Sequence, residues 1–236
     1  MKKTLVLAGL AVLSSAAFAQ QSPIVNEFVF DHTGTDTGEF VEIFASANFN
    51  LANFQIIGIE GDGTGAGTVD NVFQPGTTDA NGFWTTNFLS NILENGTLTL
   101  LLVTGFTGAV GNDLDTNDDG VFDSTPWSQI FDGIGVTDLG ATDFNYSNVV
   151  LLPSMDPVNL RVGGASRIPN GTDTNTVGDW MRNDFDGAGL PGLTGTPTVG
   201  EAWNTPNAVN AQVVPEPATM AVLGMGALVL LRRRKK

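Results

Sequence analysis

The residues best suited to bind a metal lie in one short stretch, residues 113–123, which read DLDTNDDGVFD. Oxygen-bearing residues alternate with others along this stretch. The candidate ligands are Asp113, Asp115, Asn117, Asp119, Val121 (through its carbonyl) and Asp123. Calcium prefers six to eight oxygen ligands, and side chains at alternate positions of a tight turn converge on one point. We therefore predict a Ca²⁺ site in this stretch, which we call the acidic loop.

The acidic loop follows the spacing of an EF-hand calcium loop only in part. With Asp115 at position one, Gly120 falls at position six, where the chain must turn sharply. Position twelve is Pro126 instead of the expected bidentate Glu, and no helical pattern flanks the loop. These residues argue against an EF-hand proper. They favour an acidic loop of dockerin or thrombospondin type, completed by Asp113, Asp132 or water, and a solvated acidic turn without metal is the alternative.

Other groups that could carry chemistry have simpler explanations. Four alternating glycines occupy residues 61–67, but a phosphate-binding loop needs a following helix and usually a lysine, and neither is present. We expect a hairpin or surface loop there.

His32 is the single histidine, and the chain has no cysteine, so the usual zinc ligands and a thiol nucleophile are lacking. We expect His32 to be an exposed loop residue.

The carboxylates nearest the amino terminus also have a non-catalytic explanation. Glu27, Glu39 and Glu42 lie on two neighbouring predicted strands, and a pair of carboxylates is the machinery of glycoside hydrolysis. Acidic residues on such strands are more often a solvated face, which is what we expect here. No Gly-x-Ser-x-Gly pattern that would place a nucleophilic serine occurs. The sequence therefore predicts no catalytic residues, and a protein that is not an enzyme.

The charge distribution limits the partners of the chain. Of 10 basic residues, seven lie in the first three or the last five positions, and all 25 acidic residues lie outside these ends. The cations that remain are Arg161, Arg167 and Arg182. A surface this acidic repels phosphate backbones, which argues against nucleic-acid binding, and it suits divalent cations.

The amino terminus carries an export signal. Lys2 and Lys3 precede an apolar stretch, which ends in a small-x-small cleavage pattern at Ala17-Phe18-Ala19. We predict a signal peptide over residues 1–19 with cleavage after Ala19. Export without cysteine leaves stability to the hydrophobic core and to bound calcium.

The body, residues 20–212, reads as one all-β domain. Short runs rich in Val, Ile, Phe and Thr alternate with Gly-rich and Asn/Asp-rich breaks, which predicts an antiparallel β-sandwich. The predicted strands cover residues 24–30, 39–45, 54–60, 97–104, 148–152 and 159–162. Residues 87–95 repeat apolar side chains at helical spacing and predict a short helix. Residues 61–86 and 105–148 read as insertions.

The carboxyl-terminal tail, residues 213–236, has three parts in a fixed order. Pro215-Glu216-Pro217 comes first, an uncharged apolar run follows, and a basic block that includes Arg232, Arg233 and Arg234 ends the chain. The apolar run predicts a hydrophobic helix that is short for a full membrane span, and the basic block favours the cytoplasmic side. This order resembles the PEP-CTERM sorting signal of exported proteins of Gram-negative bacteria. The resemblance implies a transient inner-membrane anchor, processing by an exosortase near the Pro-Glu-Pro triplet, and an association with exopolysaccharide and the cell surface.

The body shows a second, looser resemblance. The stretches IVNE at residues 24–27, DTGEFVEIF at 36–44 and LANFQII at 51–57 are similar to the opening of the lamin-tail domain. RIPNGTD at 167–173, Trp180 and TPNAVN at 205–210 follow the order of its close. The resemblance implies an immunoglobulin-like β-sandwich without catalytic residues.

Two functions from different classes follow. The first is an exported, exosortase-sorted surface or matrix protein whose calcium-stabilised sandwich binds extracellular polysaccharide or another surface partner. The alternative is an accessory to, or a weak member of, an extracellular nuclease or phosphatase system, because lamin-tail-like domains accompany such secreted enzymes. The shortage of histidines weighs against the alternative.

Overall fold

A computed structural model of the protein describes residues 20–155 and 162–214. The predicted signal peptide, the tail from Pro215 onward with its hydrophobic helix, and residues 159–161 of the last predicted strand lie outside these ranges. Within them, ten strands form two five-stranded sheets, and helix is limited to three single 3₁₀ turns. No helix in the described ranges is long and apolar enough to cross a membrane.

The strands alternate with turns throughout the body. They are β1 (Ile24–Val29), β2 (Phe40–Phe44), β3 (Phe54–Glu60), β4 (Val69–Phe73), β5 (Phe83–Thr85), β6 (Leu98–Thr104), β7 (Gln129–Val136), β8 (Val150–Leu151), β9 (Gly164–Arg167) and β10 (Trp180–Arg182). The first sheet has the order β10-β9-β1-β2-β5, and the second has β4-β3-β6-β7-β8. All pairings are antiparallel except the short β7–β8 pair.

The main core lies between the two sheets. Strand β6 shows how the sequence builds it: Leu98, Leu100 and Leu102 alternate along the strand and point into this core. Across the gap, Val41 and Ile43 of β2 belong to the same apolar cluster. The predicted sandwich is therefore confirmed as two packed sheets of mostly antiparallel strands.

A second apolar cluster covers the outer face of the second sheet. Leu101 and Val103, on the other side of β6, pack there with Leu114. The side chains of Phe122, in the acidic loop, and of Tyr146, in the β7–β8 connection, pack over this cluster. Because both faces of β6 are covered, six of its seven residues are buried.

Two predicted insertions contain structural strands. Residues 105–148 include β7, which pairs with β6 over seven residue pairs, and residues 61–86 include β4 and β5. Sequence patterning missed β7 because glycines at positions 133 and 135 interrupt its apolar alternation. A Cβ at Gly133 would lie 2.6 Å from the end of the Leu101 side chain, so a larger residue there would require that side chain to shift.

The predicted helix over residues 87–95 is wrong. This segment runs as bends beside β2, with a backbone bridge from Leu89 to Glu39. The Glu39 carboxylate accepts hydrogen bonds from the backbone N–H groups of Ile92 (2.8 Å) and Leu93 (3.3 Å), and Asn91 has a positive φ of 50°. A buried acceptor therefore takes N–H groups that a helix would have used internally.

Candidate functional site

The acidic loop is organised around the carboxylate of Asp115. That side chain is fully buried, and its oxygens accept hydrogen bonds from the backbone N–H of Asp119 (3.2 Å), the backbone N–H of Gly120 (2.8 Å) and the hydroxyl of Tyr146 (2.8 Å). Burial opposes ionisation, but these donors hold the pKa of Asp115 below its ordinary value. The turn residues Asp118 (φ 53°) and Gly120 (φ 81°) provide the backbone path.

The other predicted ligands line the same loop but also serve its turns. Asp123 accepts from the N–H and the hydroxyl of Thr116, at 2.9 and 2.6 Å. Asp119 accepts from the backbone of Val121 and from the Asn117 amide. Asp113 accepts from the backbone of Asp115 at 3.0 Å. Hydrogen bonds thus connect the predicted ligands within one turn, but no three of the carboxylates Asp113, Asp115, Asp119 and Asp123 bring their oxygens within 4.8 Å of one another.

Asp132 does not complete this loop. It lies on β7, where its two oxygens receive the Arg167 guanidinium at 3.0 and 2.9 Å and one of them also receives the Val25 N–H at 2.8 Å. Arg167 is itself 1% exposed, stacks over the Trp180 ring at 4.5 Å, and donates to the Val25 carbonyl. The pair joins β9 of one sheet to β7 of the other, so its role is structural.

Two further carboxylate groups were not found from the sequence. Glu60, Asp70 and Glu94 form one, and Asp62, Asp138 and Asp143 form the other, with the carboxylate oxygens of each group within 4.8 Å of one another. They meet because the β3–β4 turn and the start of β6 bring distant segments together. No local sequence pattern indicates them, because the members of each group lie at least five residues apart in the chain.

The first of these groups is electrostatically unfavourable when ionised. Partial burial, followed by repulsion from Glu94 and Asp70, raises the pKa of Glu60 to about 7. Burial and the charge of Glu94 also raise the pKa of Asp70. A divalent cation among these oxygens would relieve the repulsion.

The expectation of a solvated acidic face on β1 and β2 is wrong. Glu27, Glu39 and Glu42 are all fully buried, and Glu27 and Glu42 face each other in the β1–β2 register. The sequence pattern does not reveal this burial, because Glu39 is covered by residues 92 and 93, and Glu27 and Glu42 are covered by a segment far along the chain. We call that segment, residues 203–213, the C-terminal strap.

The strap is held to the sheet by the two facing glutamates. Glu27 accepts from the backbone N–H of Thr205 (2.8 Å), from its hydroxyl (2.9 Å) and from the Asn183 amide (2.9 Å). Glu42 accepts from the backbone N–H of Asn207 (2.6 Å) and from the Asn26 amide (2.8 Å). Burial raises the pKa of Glu27 to about 7 and, together with the charge of Glu27, raises that of Glu42 well above its ordinary value.

His32 is buried and not exposed as expected. It is 2% exposed, its Nε2 accepts the Gly38 N–H at 3.2 Å, and its Nδ1 lies 3.0 Å from the Thr33 carbonyl. The Gly38 contact fixes Nδ1 as the protonated nitrogen, which donates to the carbonyl. The ring therefore braces the loop between β1 and β2.

Comparison with known proteins bears on the tail. Residues 213–235 match the PEP-CTERM protein-sorting motif. No curated protein and no solved structure matches the chain. The resemblance of the body to the lamin-tail domain therefore stays a prediction, whereas the motif implies an exported, membrane-anchored protein that an exosortase processes.

Proposed function

We propose that this protein is a non-catalytic surface or matrix protein, whose acidic β-sandwich is delivered by the sorting motif and then interacts with extracellular polymer. The observation that carries the proposal is the junction of the two parts. The strap ends where the motif begins, since the N–H of Val213 donates to the Glu201 carbonyl at 2.8 Å and Pro215 follows two residues later. The described sandwich therefore leads directly into the motif.

The test follows the protein in cells with and without the exosortase. We expect a shorter form outside the inner membrane when the enzyme is present, and an unprocessed membrane-bound form when it is absent. Equal size and location in both strains would contradict sorting by this route. Retention of the purified protein on extracellular polysaccharide would then test the polymer interaction.

Calcium stabilisation is the second part of the proposal. Its support is the acidic loop ordered around Asp115 and the two carboxylate groups at the β3–β4 turn, on a body with few cations. We expect millimolar Ca²⁺ to raise the melting temperature. Asp119→Ala should remove the rise in melting temperature if the acidic loop binds Ca²⁺. Glu94→Gln should remove it if the group of Glu60, Asp70 and Glu94 does. Calorimetry without any Ca²⁺ binding at millimolar concentration would contradict this part.

The hydrolase alternative has one observation in its favour. Facing carboxyls with raised pKa values, such as Glu27 and Glu42, are a pattern used for acid catalysis. Both side chains, however, are sealed under the strap and satisfied by its donors, so a substrate has no access to them. Turnover of DNA or simple esters that is abolished by Glu27→Gln would overturn the non-catalytic proposal.

A further inference from the structure

A groove of about 480 Å³ lies where the C-terminal strap crosses the ends of β2 and β5. Its apolar side is formed by the half-buried ring of Phe44, which packs against Phe83 with ring centroids 5.1 Å apart. Ala208 and Val209 of the strap form the opposite rim, and Val209 is 65% exposed. The volume lies within the range of roughly 300–1,000 Å³ typical of ligand pockets.

Two side-chain amides in the groove are fixed by their oxygens. The Oδ1 atom of Asn170 accepts from the Asn26 amide at 3.0 Å and from the Asn210 backbone at 3.3 Å. The Oδ1 atom of Asn207 accepts from the Thr85 hydroxyl at 3.0 Å. Within the described residues, neither Nδ2 group donates a hydrogen bond, so two oriented donors are left for a ligand.

Hydrogen bonds hold the part of the strap that lines the groove. Glu42 holds the backbone of Asn207 at 2.6 Å, and Ala208 donates to the Thr205 carbonyl at 2.9 Å. The rim is thus positioned by buried contacts before any ligand arrives, which lowers the entropic cost of binding.

Among the residues that the structure describes, no charged side chain lines this groove. Two carboxylates lie behind it: Glu42 is buried under Asn207, and Asp79 accepts backbone N–H groups of Asn81 and Phe83. An anionic ligand would find no cation there and would be repelled by the acidic body. A cationic ligand would find no exposed carboxylate among the lining residues.

We propose that this groove binds a segment of neutral polysaccharide. Sugar hydroxyls both donate and accept hydrogen bonds, which matches fixed amides, and the C–H faces of a sugar ring can pack on Phe44 and Val209. This inference rests on the proposed polymer interaction and specifies its site and the class of polymer.

Affinity electrophoresis of the full chain in detergent provides the test, with dextran or hydroxyethyl cellulose as neutral probes and alginate as an anionic one. Ala208→Asp places a carboxylate on the rim, and Ala109→Asp is the matched control, an exposed alanine on a loop outside the groove. We expect a neutral probe to retard the wild type and the control, and Ala208→Asp to weaken binding at least tenfold. Unchanged circular dichroism and melting temperature would show that both variants fold.

Three results would overturn the inference. They are no retardation by neutral probes, equal binding by the two variants, and binding to alginate alone. The last would leave the proposed polymer interaction intact and place it elsewhere on the body. Loss of exosortase-dependent sorting would contradict the proposed function without bearing on the groove.

Discussion

Replacing Glu27 by Gln should make the body more stable at alkaline pH. The substitution fits the hydrogen bonds in place: the Gln oxygen can accept from Asn183 and from the Thr205 N–H, and the Gln amide can donate to the Thr205 hydroxyl. That hydroxyl can in turn donate to Asn210, whose Oδ1 lies 3.1 Å away. Gln at position 27 therefore reproduces the protonated carboxyl without its titration.

The magnitude follows from the raised pKa of Glu27. Burial raises it from 4.5 to about 7, so the folded state binds a proton that the unfolded state releases at lower pH. Stability contributed by the protonated group is complete below about pH 4.5 and is lost as the pH rises to about 7. At about 1.4 kcal/mol per pKa unit, the ionised Glu27 costs roughly 3 kcal/mol above pH 7.

Urea unfolding of residues 20–214, followed by tryptophan fluorescence from pH 4.5 to pH 8.5, measures the effect. We expect Glu27→Gln to match the wild type near pH 4.5 and to exceed it by roughly 3 kcal/mol at pH 8. Asp118→Asn, which removes an exposed carboxylate at another turn, should change stability little at either pH. A Glu27→Gln variant that is less stable than the wild type at pH 8 would refute the reasoning.

Two further substitutions test the frame of the sandwich by denaturant unfolding. Arg167→Met leaves the buried Asp132 carboxylate without its cation and should lower the free energy of unfolding by about 3–5 kcal/mol. Adding Asp132→Asn should recover part of this loss, and no recovery would contradict the ion-pair explanation. Gly82→Ala puts a Cβ against the Ala45 carbonyl oxygen at a φ of 95°. It should cost more than Gly111→Ala, where φ is also positive (85°) but no atom lies within 4 Å. Equal costs for the two glycine variants would show that the close approach is not limiting.

The strands that the sequence predicts correctly are those that can be recognised from the apolar pattern of their own residues. Strands β1, β2, β3 and β6 were predicted within about one residue of their bounds, because each alternates or fills with branched and aromatic side chains. Strand β7 does not show in the sequence pattern because Gly133 and Gly135 interrupt its apolar alternation. The spacing of apolar residues predicts a helix over residues 87–95, because that spacing carries no information that Glu39 accepts the N–H groups of Ile92 and Leu93.

The sites divide in the same way. The turn of the acidic loop could be predicted because its residues lie within eleven consecutive positions, whereas its role as a metal site stays a prediction. The environment of Glu27 and Glu42 could not, because their partners Thr205 and Asn207 lie 178 and 165 residues away. From the sequence alone, a carboxylate on a strand is expected to be exposed to solvent, because the distant segment that covers it cannot be identified.

That covering segment also connects the fold to the sorting motif. The strap donates hydrogen bonds to two buried carboxyls, and its backbone hydrogen bond from Val213 to Glu201 adjoins the start of the motif. Opening the strap would expose Glu27 and Glu42 to water, where both would ionise at neutral pH, so a raised pKa at these sites also weakens the strap as pH rises. The stability of the strap therefore depends on the protonation of this buried pair.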